Sequence, residues 1–381
     1  MSGLTRTGVA DLRLHGGSAP NWLVRRMIRL AGAIVEVFVD EFGVEKLLVR
    51  LSDPLWFQAF SCVLGYDWDS SGTTTVTCGV LKTVADPSKH GLIVCGGKGR
   101  KSVETQTELE QVVPRAFDFS DDDVTRLKYA SRMAGKVDNA AIQDGYHLYH
   151  HAFLLTQDGK WAVIQQGMNT ATGMVRRYHW LSTNVKSFVE EPHSGIICAR
   201  NHGDNVLDMT SRRSEGCRNT CANLASDGAD RIMRAYSEIK SYAESGTTLE
   251  KWMRTDANDF SGCVTHYKLL PRRMNWDILK EVYDIHPQNY EQLISIKGVG
   301  PATIRGLALI SELLYGEGPS WRDPVRYSFA FGGKDGVPFP VERKAMDEAT
   351  QILEHAINKS KLGEEDRIGS IRRLREFVTG Q

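Results

Sequence analysis

The sequence has no surplus of charge. Its 381 residues hold 47 Lys+Arg against 47 Asp+Glu, a formal net charge of +0. The field of the whole molecule therefore does not announce a polyanion partner. Any nucleic-acid site must be local, built from a patch or from backbone N–H groups. No apolar run is long enough to cross a bilayer. The opening Met1-Ser2-Gly3-Leu4-Thr5-Arg6 has no apolar signal-peptide core. The seven cysteines (Cys62, Cys78, Cys95, Cys198, Cys217, Cys221 and Cys263) are odd in number and scattered, unlike a disulfide framework. Cys217 and Cys221 have loose zinc-ligand spacing, but no second pair accompanies them. There is no internal repeat and no low-complexity segment. The expectation is a reduced, cytoplasmic protein without a membrane segment.

What is present is a globular balance, 41% hydrophobic and 25% charged, in a chain long enough for two or three domains. Leu23, Met27, Leu30, Ile34 and Phe38 recur at helical spacing and predict a helix over 21–43, with Asn21 able to cap it and Gly43 to stop it. Asp53-Pro54 reads as a cap and first-turn proline of a second helix. Gly91 to Cys95 reads as a short buried strand, and Phe119 to Ala134 as a helix capped near Ser120. His151–Leu155 and Trp161–Ile164 are strand-like, joined at Asp158-Gly159, and Met174 to Trp180 adds a third strand. Beyond these, helices are predicted at 223–243, 247–254, 275–285, 289–295, 301–315, 342–359 and 365–378. The expected architecture is an α+β domain with a small antiparallel sheet over 1–245, followed by an all-α domain over 246–381.

The segment Leu293-Ile294-Ser295-Ile296-Lys297-Gly298-Val299-Gly300-Pro301-Ala302-Thr303-Ile304-Arg305 has a clear physical logic. Gly298 and Gly300 permit backbone angles that side chains forbid, and Val299 between them can anchor the turn. Pro301 suits the first helical position. The free N–H groups from Gly298 to Thr303 can hold a phosphate, assisted by the helix dipole, and Lys297 and Arg305 can add local charge. The pattern resembles the helix-hairpin-helix consensus, which grips the sugar-phosphate backbone and reads no bases. The alternative is a tight helix–helix turn without a ligand. Arg322, Arg326, Arg343 and Lys344 can extend the same surface. Base-excision glycosylases carry this hairpin with a later catalytic aspartate, for which Asp323 stands at a plausible distance. No lysine follows Pro301, so only a monofunctional glycosylase fits. Asp323-Pro324 also reads as a plain helix cap.

The densest polar cluster is Asp138, Asp144, His147, His150 and His151. On a regular strand His147 and His151 share a face, and on a helix they pair at i, i+4. With Asp144 they make a candidate metal site, and with Asp138 a candidate catalytic set. Mn²⁺ or Mg²⁺ held there would activate water against a phosphodiester. Arg176 and Arg177, with Gln165, Gln166 and His179 nearby, can hold a phosphate. The alternative is a polar core of buried, hydrogen-bonded histidines. Gly96-Gly97-Lys98-Gly99-Arg100-Lys101 lacks Walker spacing and reads as a basic loop. Asp67 and Asp69, with Ser70, Ser71 and Thr74, read as turn and cap residues before a metal site.

His15-Gly16-Gly17, Asp67-Trp68-Asp69-Ser70-Ser71-Gly72, Lys136-Val137-Asp138, Gln143-Asp144-Gly145 through His150-His151, Gln165-Gln166-Gly167-Met168, Arg177-Tyr178-His179-Trp180 and Phe331-Gly332-Gly333-Lys334-Asp335-Gly336 resemble a family of archaeal and bacterial proteins classed as a domain of unknown function. The resemblance covers nearly the whole chain. It implies an α+β domain fused to a hairpin domain and a DNA-processing role, and it assigns no catalytic residues. The expectation is a DNA-binding protein, acting on double-stranded or branched DNA as a metal-dependent nuclease. The rival class is a DNA-binding module without enzymatic activity.

Overall fold

The computed structural model describes residues 20–66, 71–198, 205–244, 269–325 and 343–379. The predicted helix 247–254, Cys263, Arg326, Asp67, Asp69, Ser70 and the motifs at His15-Gly16-Gly17 and Phe331–Gly336 lie outside them, as do the side chains of Arg343 and Lys344.

In chain order the elements begin with α1 (Asn21–Phe42), α2 (Val44–Ser52), α3 (Pro54–Val63), α4 (Gly72–Val84) and α5 (Pro87–His90). They continue with β1 (Leu92–Lys98), α6 (Arg100–Val103), α7 (Thr105–Ala116), α8 (Asp121–Lys136) and a π-helical turn, Val137–Ala141. Then come β2 (Ile142–Gln143), β3 (His147–Thr156), β4 (Trp161–Asn169), β5 (Met174–Leu181), β6 (His193–Cys198) and β7 (Leu207–Asp208). The helices α9 (Glu215–Asp227), α10 (Ala229–Glu244), α11 (Trp276–Ile285), α12 (Tyr290–Ser295), α13 (Pro301–Tyr315), α14 (Arg343–Lys359) and α15 (Glu364–Thr379) complete the described chain.

The protein is mixed α+β around one five-stranded antiparallel sheet of order β1-β3-β4-β5-β6, with β2 and β7 paired apart from it. Local chemistry accounts for the element ends. Asp53 accepts the N–H groups of Leu55 and Trp56 ahead of Pro54. Ser120 and Asp123 close a reciprocal capping box on α8, an arrangement worth about 1 kcal/mol. Asn21, expected as a cap, is instead the first helical residue of α1.

Three departures from the sequence pattern matter. Gly96-Gly97-Lys98 continues β1, paired with Ala152, His151 and His150, and is not a loop. A predicted helix over 223–243 is two helices that meet at Gly228, which has φ +111. β6 was not foreseen.

Helices cover both faces of the sheet. One face presents Ile93, Cys95, Phe153, Leu155, Val163 and Trp180 to α7 and α8, and that core runs on without a break through α9 to α13. The other presents Leu92, Val94, Ala152, Leu154, Ala162 and Ile164 to α1–α4. Leu353, Ala356, Ile357 and Leu374 of α14 and α15 are buried in this second core. Packing therefore does not follow a boundary at 245. The helices just before it join those after it on one face, and the last two return to the N-terminal helices on the other. No helix among the described residues is long and apolar enough to cross a membrane.

Candidate functional site

β3 begins regularly, with His147 opposite Met168 and Leu148 opposite Gly167. The register then shifts, so that His150 faces Gln166 and His151 faces Gln165, leaving Tyr149 as the extra residue of a bulge. Directly opposed residues share a face, and alternation along β4 is unbroken. His147 and His151 therefore project from opposite faces, and the expected pairing of the two is corrected by a single inserted residue. His147 is exposed. Asp144, His147 and His151 do not form one donor set. Among the described residues no group of three or more His, Cys, Asp and Glu side chains is arranged to hold a metal ion.

The structure joins His151 and Asp138 differently, through Gln165. Ser131 Oγ lies 2.9 Å from His151 Nε2, and His151 Nδ1 lies 2.7 Å from Gln165 Oε1. Gln165 Nε2 donates to Asp138 Oδ2 at 2.5 Å, and Trp180 Nε1 donates to the same oxygen at 3.0 Å. His193 Nε2 meets Asp138 Oδ1 at 2.5 Å. The directions follow from the only fixed donors. Gln165 spends its N–H on Asp138, so its oxygen must accept from His151 Nδ1–H, and His151 Nε2 then accepts from Ser131. Burial pushes the His151 imidazole down to about 4, which agrees with a neutral ring. Burial pushes the Asp138 carboxyl up, while the contacts from His193 and Trp180 pull it down. The net shift is upward, so burial outweighs those contacts; Gln165 and Trp180 donate to one carboxyl oxygen, and His193 Nε2 meets the other. Asp138 sits in the π-helical turn after α8, a local unwinding that aims it at the sheet.

Asp144 belongs to a neighbouring ion-pair cluster. Arg176 donates to Asp144 at 2.8 Å and to both oxygens of Asp323, at 3.0 and 2.7 Å. Tyr178 donates its hydroxyl to Asp144 at 2.6 Å, and Arg176 lies over the Tyr146 ring. Burial opposes the charge of Arg176, but Asp144 and Asp323 outweigh it and hold the guanidinium firmly charged. Arg177 projects from the other face, stacked on Phe57 and bonded to Gln58 and Thr74. Both arginines are 0% exposed, so the phosphate-holding role expected of them is corrected: each is consumed inside the fold. Asp323 is likewise engaged with Arg176, and it also accepts the N–H of Val325 at 3.1 Å.

A cavity of about 270 Å³ opens beside these clusters, lined by His193, Asp208, Thr210, Arg213, Arg322 and Asp323 among others. Asp208 is buried and accepts from Thr210 N–H and hydroxyl; burial pushes its carboxyl up. The sequence reading passed over Ser131, His193 and Asp208. Each is a single polar residue in an ordinary setting, and only the tertiary fold brings His193 to Asp138, Ser131 to His151, and Asp208 to the cavity beside His193. The short apolar run after Pro192 was the one local sign that His193 opens a strand.

The glycine turn lies between α12 and α13. Gly298 has φ +94, a left-handed conformation that glycine adopts without strain. Val299 is 0% exposed, and Gly300 caps α13 without a side-chain hydrogen bond. A second cavity of about 310 Å³ is lined by Gly298, Gly300, Pro301, Ala302 and Thr303 together with Arg273 and Asn275. Asn275 caps α11, so two helix N-termini meet there. Lys297 and Arg273 are exposed. Thr303 is buried, and Arg305 is half-buried with Nε donating to Gln143 at 2.7 Å, so neither presents its side chain freely. Lys136 Nζ donates to the carbonyls of Ile296 and Val299, at 2.9 and 2.6 Å, and Gln143 donates to Pro301 O. The stretch from Lys136 to Asp144 thus serves both places. Lys136 and Gln143 hold the turn, and Asp138 and Asp144 hold the two buried clusters.

These features define a mixed α+β protein with a buried carboxylate–imidazole chain beside one cavity and a glycine turn beside another. The chain belongs to the family described as "Protein of unknown function (DUF763)", whose model matches residues 8–341. No curated protein and no solved structure matches it.

Proposed function

We propose that the protein binds nucleic acid, most naturally duplex or branched DNA, through a helix-hairpin-helix element formed by α12, the turn Ile296–Gly300 and α13. The observation that carries the reading is the uncapped N-terminus of α13 opening into a cavity that Arg273 also lines. Backbone N–H groups there are unsatisfied within the helix, and the helix dipole favours an anion. A phosphate between these amides and the Arg273 guanidinium satisfies both without help from the net charge. The metal-dependent nuclease expected from Asp144, His147 and His151 gains nothing from their geometry, so the binding reading stands by itself.

The test replaces Gly300 with aspartate. A Cβ at Gly300 meets only the Gly298 carbonyl oxygen, at 3.9 Å, and its φ is not left-handed, so the fold tolerates the change. The new carboxylate caps α13 and repels phosphate from the same amides. Fluorescence anisotropy with unrelated duplex sequences should show affinity falling roughly tenfold or more for Gly300→Asp, and falling for Arg273→Ala, with unchanged thermal melts. Equal affinity in both variants reduces the element to a structural turn.

A further inference from the structure

The two nitrogens of His193 are not equivalent. Nε2 is held by Asp138, which is itself fixed by Gln165 and Trp180. The ring also packs edge-on against Trp180 at 4.6 Å between centroids. A histidine so restrained, with a carboxylate behind it and a cavity before it, has one tautomer and one orientation. With Asp138 ionised, Nε2 carries the proton toward it, and Nδ1 is the second nitrogen of a ring that lines the cavity. Structural histidines do not need a cavity, and cavity residues do not need a buried carboxylate braced by two further donors. Both occur here together.

We propose that this cavity is an acid–base catalytic site for phosphodiester hydrolysis, with His193 as the proton-transfer residue and Asp138 as its positioning residue. The inference goes beyond phosphate binding at the hairpin and does not depend on it. The cavity suits an anionic substrate in spite of its carboxylates. Arg176 is shared between Asp323 and Asp144, Glu191 meets Arg212 at 3.4 Å, and Asp208 accepts from Thr210. Arg213 and Arg322 also line the cavity, and a guanidinium is a group that pairs with phosphate oxygens. In the step itself a water oxygen bonds to phosphorus while its proton passes to His193 Nδ1. The bond from phosphorus to the leaving oxygen breaks, and that oxygen takes the proton back from the imidazolium. One water is consumed, a monoester and an alcohol are formed, and the ring ends neutral. Asp138 stabilises the transient imidazolium, as a buried carboxylate does in hydrolytic triads.

Two probes test this on the full-length protein with Mg²⁺ present: bis(p-nitrophenyl) phosphate, which needs no hairpin, and a fluorescent DNA fork. Cleavage of the small diester is expected from wild type, reduced roughly a hundredfold or more in His193→Ala. His193→Gln, closer in shape, guards against loss of folding and should be equally impaired. Asp138→Asn should lower kcat with KM little changed. It should also move the acid limb of the pH profile downward, because the imidazolium loses its counter-charge. Tyr178, Asp208, Asp323 and Glu191 are the other titratable groups around the ring, and they are unchanged in that comparison. A purely structural Asp138 would leave the limb in place. DNA-fork anisotropy should be unaffected in all three variants. No cleavage of either probe by wild type, or wild-type rates in a folded His193→Gln, overturns the proposal, whatever the hairpin binds.

Discussion

At His150 both ring nitrogens are buried without a hydrogen-bond partner among the described residues. An unsatisfied buried polar group costs on the order of 1–3 kcal/mol. Burial, chiefly, pushes this imidazole down to about 3. The sign of the pH effect follows. Between the ordinary histidine value of about 6.5 and that lowered value the unfolded chain binds the proton and the folded chain does not. The contribution of His150 is therefore intact above pH ~6.5 and is lost as pH falls toward 3. At pH 5 the loss is on the order of 1–2 kcal/mol. His150→Leu, placed on the face that holds Ala152 and Leu154, removes both penalties. Urea melts should show the variant gaining on wild type as pH drops from 8 to 5. A constant difference across that range would mean that His150 has a partner in solution.

At the scale of elements, helices were legible because their signals are local. The stripe Met27, Leu30, Ile34 and Phe38 is buried as its spacing predicts, and α13 begins at the proline that marks it. The site was less legible for an equally physical reason. The bulge at Tyr149 leaves no mark in the pattern of β3, yet it sends His147 and His151 to opposite faces. Asp138 and His151 were singled out for chemistry and do lie in one network, but their link is an uncharged glutamine and their outlet a histidine from β6. The glycine turn shows what sequence and structure each contribute. Its glycines were evident, whereas the tight approach is not: a Cβ at Gly298 would sit 2.3 Å from Ile278 Cδ1. Gly298→Val should therefore cost roughly 2–4 kcal/mol, from the left-handed backbone and the clash together. Adding Ile278→Ala should recover only the steric part. Full recovery in a denaturant series would show that the backbone angle carries no strain.

At the scale of the molecule, the final helices close a core that the first helices open. The family match ends at residue 341, before α14 and α15 begin. Yet Leu353, Ala356, Ile357 and Leu374 are each 0% exposed against α1 and α3, and Asp366 accepts from Arg26 and Arg29. The exposed ion pairs contribute little, about 0–1 kcal/mol each, and the apolar burial far more. A chain cut after residue 341 should lose solubility or melt well below the full protein. An unchanged melt would mean that these helices are an appendage. The charge balance of the molecule has a consequence for the proposed nucleic-acid binding. With few side-chain cations committed at the hairpin, the slope of log affinity against log salt should correspond to only a few phosphates. A steep slope in a titration would reveal a basic face elsewhere.

The ammonium of Lys136 bears on which ions the protein distinguishes. The turn around Gly298 leaves the carbonyl oxygens of Ile296 and Val299 pointing at one spot, a natural port for a small monovalent ion. The chain plugs that port with its own side chain, half-buried and tethered to α8. The two carbonyls thus take their cation from the chain itself. On the proposed binding, exchanging potassium for sodium or a large organic cation at fixed ionic strength should leave DNA affinity unchanged. In Lys136→Met the port is vacated, and affinity should begin to depend on which cation is supplied. Wild-type binding that already discriminates among these salts would show that the plug is not held in solution.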